Sequence, residues 1–405
     1  MRLVYKFNIG YNDALYELCK ISKNLYNQSL YIVKKELKDN NKWLGYNQLN
    51  TIMQQTYNLD NEINYRLLKA QVSQQCLRQL DKNIKSYVKS IKDYSKNKSK
   101  YNGCPKFPKY KKEVNQLIYT NQCASIKNGY IRLSSDIHIK IPQYDKYMER
   151  LSKFQQIRIN SQLDKTLECE IIYIDDSFSN VNLDKDKYAS IDLGVDNLAT
   201  LICDDNRPIL YNGRQVKSKN QFFNKEISRL KSKLTNNKRS SKRIKRLWKR
   251  RDNQMNDIFH KLSRKIVNRL IENKVGNIVV GYNKGWKDSI QLSKKVNQTL
   301  VSIPYDKLIN YLQYKCEMCG IEMTITEESY TSKCDALAME EIGKHEEYKG
   351  KRKKRGLYQS SIGKLINADI NGALNIMRKV VDDSEVITRI VNNGWLFQPL
   401  RVNIL

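Results

Sequence analysis

The chain is short of acid. Over 405 residues it has 42 Asp and Glu against 73 Lys and Arg, a formal net charge of +31. A globular protein carries that self-repulsion at a cost in stability, so a polyanionic partner is the expected compensation, nucleic acid before a membrane surface. Long apolar runs are also missing. None approaches the roughly 20 residues that a spanning helix needs, so no membrane partner is expected. "MRLVYKFNIGYNDALYELCK" has no signal-peptide pattern, which points to the cytoplasm and nucleoid, or to the nucleus for a eukaryotic or viral protein. Histidine is scarce: His138, His260 and His345 stand alone, and nothing about them suggests His-based chemistry. Nine cysteines are scattered singly except Cys316 and Cys319, which reads as reduced thiols filling cores rather than a disulfide framework.

What is present changes period along the chain. Residues 11–100 are helical in pattern: Leu15, Leu18, Cys19, Ile21, Leu25 and Leu30 recur at helical spacing, as do Leu67, Leu68, Val72, Cys76, Leu80, Ile84, Val88 and Ile91. "SKNKSKYNGCPKFPKYKKE" breaks that pattern with Gly103, Pro105 and Pro108, and its Tyr101, Phe107 and Tyr110 interleave with Lys. Such interleaving suits a stacking groove that tracks a nucleic-acid backbone, with a plain basic linker as the alternative. From 115 to 180 the alternation is strand-like, with Asn128-Gly129 as a hairpin turn. The N-terminal strand "MRLVYKFNI" completes a β-rich domain, into which the helices are inserted. From 186 onward strands alternate with helices, which predicts an α/β layer fold. The expected organisation is thus multidomain α/β: a β-barrel-type domain (1–10 and 112–185), an inserted helical domain with its basic linker (11–111), and an α/β domain (186–405). A charged insertion at about 334–358 reads as a mobile loop.

Two aspartates stand out. Asp192 in "ASIDLGVDNLA" lies on an apolar strand between Ile191 and Leu193, where an ionised group is expensive unless something binds it. A turn cap is the alternative, and Asp196 on the same turn reads as a turn-former. Asp369 in "INADINGALNI" precedes a helix pattern and is equally well explained as an N-cap. Taken together, the two suit a hard divalent cation, which wants several carboxylate oxygens. Two such ions suffice for phosphodiester hydrolysis with only acids from the protein. A third acid is missing where one would be looked for: the buried strand in "KVGNIVVGYNKGWK" ends in Gly281.

"SIDLGVDNLATL", "IVVGYNKGWK", "ESYTSK" and "KRGLYQSSIGKLINADINGALNIMRK", in this order and spacing, resemble TnpB, the transposon-encoded RNA-guided nuclease related to Fanzor proteins and type V CRISPR effectors. "SKNLYN", "SQQCLRQLDKNIKSY" and "PKFPKYK" extend the likeness over nearly the whole chain. The resemblance implies an RNase H-like RuvC domain with an Asp–Glu–Asp site, Asp192 matching the first acid and Asp369 the last. The middle Glu usually ends the strand that here ends in Gly281. One branch of the family carries it just before "YTS", which here selects Glu328, with Glu327 in reserve, on a strand "IEMTITEE" expected beside the Asp192 strand. The implied cofactor is two Mg²⁺ ions, with Mn²⁺ as a substitute. Zinc is not expected, since the family's ribbon of two Cys-x-x-Cys pairs is absent.

The implied partners are a guide RNA derived from the transposon end and target double-stranded DNA bearing a short flanking motif. Candidate backbone contacts are Lys106, Lys109, Arg239, Lys242, Arg243, Lys245, Arg246, Lys249, Arg250 and Lys287. For "RSSKRIKRLWKRR" (239–251) a solvated helix face or a localisation signal remains open. The activity implied is RNA-guided DNA cleavage. A nuclease-inactive, RNA-guided repressor is the rival reading, and a DNA transposase a more distant one.

Overall fold

In Arg2–Gly10 (β1) every second side chain is more buried than its neighbours, which is the mark of a strand with one covered face. The computed structural model describes residues 1–405 except 42, 163, 177–180, 204–206, 236–237, 284–297, 299–300, 382–383 and 393. It divides into two compact units, Met1–Asp176 and Ser177–Leu405.

In the first unit, β1 pairs antiparallel with Leu167–Ile174 (β7), Phe7 opposite Cys169 and Tyr5 opposite Ile171. Phe154–Ser161 (β6) and Leu117–Thr120 (β2) complete a sheet of order β1-β7-β6-β2. The helices Asp13–Asp39 (α1), Tyr46–Met53 (α2) and Ala70–Lys96 (α3) therefore lie between two strands of one sheet in sequence. Asn12 starts α1 by accepting from Leu15 N at 2.9 Å, which satisfies one of the free N–H groups of the first turn. The apolar stripe of α1 packs with Val72, Cys76, Leu77, Leu80 and Ile84 of α3 in a core shared with the sheet. Ser125–Lys127 (β3), Tyr130–Arg132 (β4) and His138–Lys140 (β5) form a separate meander. Its first turn has Asn128 at φ 50° and Gly129 at φ 77°, the left-handed pair that a two-residue hairpin needs. Among the described residues these are two separate sheets rather than the one barrel-type sheet expected. A helix, Tyr144–Ser152 (α4), stands where no helix was foreseen.

The segment after α3 is also less free than its composition suggests. The Tyr101 hydroxyl donates to Asp93 at 2.7 Å, and Phe107 packs edge-on against Tyr87 at 5.1 Å. Of the three interleaved aromatics only Tyr110 stays exposed, with Lys34 Nζ 4.3 Å from its ring centroid.

The second unit is built on a six-stranded sheet of order β12-β11-β8-β9-β10-β16. Asp184–Asp192 (β8), Asn197–Cys203 (β9) and Ile209–Asn212 (β10) run antiparallel in succession. Val275–Gly281 (β11) is parallel to β8, and Glu322–Thr326 (β12) is parallel to β11. The chain reaches β11 through Arg214–Ser232 (α5) and Lys242–Glu272 (α6), and β12 through Tyr305–Met318 (α7). One face of the sheet packs Ala189, Ile191, Ile278 and Val280 on α6 and α7. The other packs Ile202 and Leu210 on Ala368–Arg378 (α8) and Ser384–Asn392 (α9). With both faces covered, every residue of β9 is buried, as in sheets sandwiched between helix layers.

Two expectations fail here. β12 lies beside β11, not beside the Asp192 strand, so β11 stands between the strand ending in Asp192 and the strand leading to Glu328. The charged segment is not simply a loop: Lys351–Lys354 (β13), Leu357–Gln359 (β14) and Leu365–Asn367 (β15) form an antiparallel sheet running into α8. Leu400–Val402 (β16) closes the far edge against β10.

Candidate active site

Because β8, β11 and β12 are parallel, their C-terminal ends share one edge of the sheet, where α/β proteins place their ligands. Register aligns Ile191 with Val280, and Gly281 with Thr326. Ser190 faces α8, its hydroxyl donating to Ala373 O at 2.7 Å, and Asp192, two residues on, faces the same way. It meets the helix at Gly372, where an added Cβ would stand 2.8 Å from Asp192 Oδ2. Only glycine lets this carboxylate lie against the first turns of α8.

Asp369 is on that same helix, and it is not the cap. Asn367 caps α8, accepting from Asp369 N at 2.9 Å and Ile370 N at 3.4 Å. That leaves the Asp369 carboxylate free to accept from Asn197 Nδ2 at 2.6 Å. The side-chain amide oxygen Oδ1 of Asn197 is buried with no partner among the described residues.

Glu328 reaches this cluster across the end of β11. A Cβ built on Gly281 would stand 2.9 Å from Glu328 Cγ and would press into Ile376 Cδ1. The Glu328 side chain thus lies in the space that any side chain at 281 would need. Its backbone is fixed from both sides: Glu328 N donates to Asn283 Oδ1 at 2.8 Å, and Thr331 Oγ1 donates to Glu328 O at 2.8 Å. Glu327 is exposed and takes a hydrogen bond from Ser329, whereas Glu328 is half-buried.

Burial and mutual repulsion outweigh the nearby cations. Burial pushes the Asp192 carboxyl well above its ordinary range, and Glu328 and Asp369 push it further, with Arg352 opposing. Burial raises Glu328 to about 7, opposed by Lys379. No hydrogen bond from a described residue reaches either carboxylate. Tyr305 is buried nearby and donates to Gly194 O at 2.7 Å. Burial, Asp192 and Glu328 all keep its phenol protonated. Among the described residues no three His, Cys, Asp or Glu side chains close into a cage, so the acids form an open cluster. Its all-oxygen donors, like charges and orphaned Asn197 oxygen are nonetheless a set that a hard divalent cation satisfies. Mg²⁺ fits this chemistry.

Asn197, Asn283 and Tyr305 were not singled out by the sequence. Asn197 sits inside the quoted "ASIDLGVDNLA", but its role depends on a partner 172 residues away. Of the basic candidates, Lys106 and Lys109 are exposed in the first unit. On the second, Arg239, Lys242, Arg243, Arg246 and Arg250 are exposed, while Lys245 and Lys249 are half-buried. Ser241 caps the α6 helix that carries most of them, accepting from Ile244 N at 3.2 Å. Lys287 lies outside the described residues.

The fold is a mixed α/β one with a carboxylate cluster at the sheet edge, and comparison places it. Residues 176–287 match the family OrfB_IS605, described as a probable transposase, and 305–376 match the Cas12f1-like TNB domain. Asp192 falls in the first match, Glu328 and Asp369 in the second. The "TnpB-like protein ORF457" of Acidianus two-tailed virus is 27% identical over 205 residues, 48% of this chain and 42% of that protein. The matched stretch therefore spans less than half the length of that relative. Among solved structures, a Cas12f1 in complex with sgRNA and target DNA aligns with a TM-score of 0.55. It does so at 15% identity, over 90% of this chain and 82% of that one. The chain is thus similar to OrfB_IS605 sequences over 176–287, to the Cas12f1-like TNB domain over 305–376, and to a TnpB-like viral protein.

Proposed function

We propose that the protein is an RNA-guided DNA endonuclease that hydrolyses phosphodiester bonds with two Mg²⁺ ions, guided by an RNA from the end of its mobile element. The observation that carries the reading is the exchange at the sheet edge. Gly281 leaves room beside the helix bearing Asp369, and the Glu328 side chain fills it. The sheet supports it as well: three antiparallel strands followed by two parallel ones on the β8 side is the arrangement of an RNase H-like domain. An acid simply lost at Gly281 would favour the repressor reading, and that motive weakens when another acid occupies the space.

Asp192, Glu328 and Asp369 would hold the ions, whose chemistry there would be to activate water and offset charge on the leaving oxygen. Asn197 holds one oxygen of Asp369 and so orients that carboxylate. The exposed cations of α6 hold nucleic-acid backbones, and base pairing with the guide does the sequence reading.

Asp192→Ala, Asp369→Ala and Glu328→Gln are each expected to lower Mg²⁺-dependent cleavage of a guided target by about 100-fold or more, with guide RNA and target still bound. Glu327→Gln is expected to cut normally. Parental cutting by Glu328→Gln, with Glu327→Gln dead, would move the site by one residue. A parent that binds guided DNA and never cuts it, in Mg²⁺ or Mn²⁺, would leave the repressor.

A further inference from the structure

A TNB segment of this lineage is expected to be pinned by zinc, and the donors here do not fit that ion. Between Glu328 and Asp369 the only thiol is Cys334 and the only imidazole His345. Structural zinc takes four thiolate or imidazole ligands, and the thiols must be ionised. Cys334 is buried, its thiol 3.7 Å from Gly343 O and raised by burial. His345 Nε2 is spent on Glu341 O at 2.8 Å. Cys316 and Cys319 pack instead into the core beneath α6 and α7, with Cys316 pushed up to about 12.

Two buried carboxylates stand at the centre of the segment instead. Asp335 Oδ1 accepts from Leu337 N at 3.2 Å and Ala338 N at 3.3 Å. Its Oδ2 accepts from Ser361 N at 2.7 Å, Ser360 Oγ at 2.8 Å and Ser361 Oγ at 3.0 Å. Glu340 accepts from Asp335 N at 2.6 Å and from Lys349 N at 2.8 Å. Unlike Asp192 and Glu328, these acids have their lone pairs engaged, leaving little for a metal.

The network then reaches into α8. Asn371 accepts from Ala336 N at 3.0 Å and donates to Cys334 O at 2.9 Å. Asn375 donates to Thr331 O at 2.9 Å and Cys334 O at 2.8 Å. Arg378 donates to Asn375 Oδ1 at 2.7 Å and Glu340 O at 2.9 Å. A chain of 331–361 that zinc would otherwise pin is thereby tied to one helix by side-chain hydrogen bonds.

We propose that this segment is a zinc-free TNB variant, in which Asp335 and Glu340, bonded to the surrounding backbone and serines, take the architectural place of the metal. The inference concerns folding and stands whether or not the protein cleaves DNA.

The test uses the full chain expressed with zinc in the medium. Metal analysis is expected to find well under 0.1 zinc per chain, and a zinc chelator to leave the melting temperature unchanged. Cys334→Ser and His345→Ala should melt close to the parent. Asp335→Asn turns N–H donors towards donors, leaves buried groups unpaired, and is expected to lower Tm by about 4–10 °C, unrelieved by added zinc. If Asp335→Asn does not yield folded protein, Glu340→Gln, which disturbs two hydrogen bonds, is read in its place with the same sign expected. Near-stoichiometric zinc whose removal lowers Tm would overturn the proposal. So would a Cys334→Ser variant that loses as much stability as the carboxylate variants.

Discussion

At Gly281 the identity of one residue decides where a neighbour's charge can sit. A Cβ there meets Ile376 Cδ1, which can swing aside, and Glu328 Cγ at 2.9 Å, which cannot move without leaving the cluster. Gly281→Ala is therefore expected to fold and bind nucleic acid while needing more Mg²⁺ and cutting about tenfold slower at limiting ion, a difference of about 1.4 kcal/mol. A titration of cleavage rate against Mg²⁺ reads this directly, and an unchanged curve would mean that Glu328 acts from elsewhere. Gly281→Glu should not rescue Glu328→Gln, because the glutamine side chain of that variant still fills the space. The same crowding predicts a pH dependence without ions. Glu328, raised from 4.5 to about 7, and Asp192, raised alongside it, bind protons in the folded chain that the unfolded chain has released. Their contribution to stability is present at low pH and is lost as pH rises through about 7, with Lys379 and Arg352 opposing. In EDTA, Tm should fall between pH 5 and 8. Asp192→Asn should melt at a higher temperature than the parent at pH 8, since it removes one of the repelling charges. Equal melting of parent and variant at pH 8 would contradict the mutual repulsion.

Between elements, α6 and α7 are joined by an unusual contact. Lys315 is only 4% exposed, and its ammonium donates to His260 O at 2.7 Å and Ser263 Oγ at 2.6 Å. Burial, with Arg264 nearby, lowers it to about 8, so at pH 7 the fold carries a charge it disfavours. Lys315→Met is expected to stabilise the protein by about 1–2 kcal/mol at pH 7, as apolar replacements of buried charges often do. That advantage should fade towards pH 10, because by then the folded parent lysine has lost its proton while the unfolded one still mostly holds it. Denaturant melts at the two pH values check it, and a loss at pH 7 would show that the two hydrogen bonds outweigh the burial. At this scale the helices and central strands were legible because their apolar residues repeat at the right period. α4 was not, since only Leu151 of its nine residues is buried and no stripe exists to read. β13 is exposed at all four positions, so it has no alternation. β12 was placed beside the wrong strand because alternation marks a covered face but not the neighbour along the edge. Asp192 was legible as a charge inside an apolar strand. Asn197 and Asn283 were not, because each acts on a partner that only the fold brings near.

For the molecule as a whole, the excess of 31 positive charges sets how any nucleic acid is held, whatever its sequence. Each phosphate neutralised releases counterions, so binding should weaken with salt at a slope of about 0.7–0.9 per contact. The exposed α6 cations are candidates for a definite share of that slope. Arg243, Arg246 and Arg250 recur at helical spacing on a helix whose opposite face buries Ile244 and Met255, so changing them leaves the core intact. The triple variant Arg243→Ala, Arg246→Ala, Arg250→Ala is expected to bind nucleic acid more weakly for all sequences alike and to lower the salt slope by about 2–3. Asp192→Asn should leave that slope unchanged, because its carboxylate is proposed to hold ions rather than phosphates. Binding of guide RNA measured from 50 to 300 mM salt separates the two. A triple variant with the parental slope would make these arginines a solvated face, and the polyanion would have to be held by cations elsewhere on the chain.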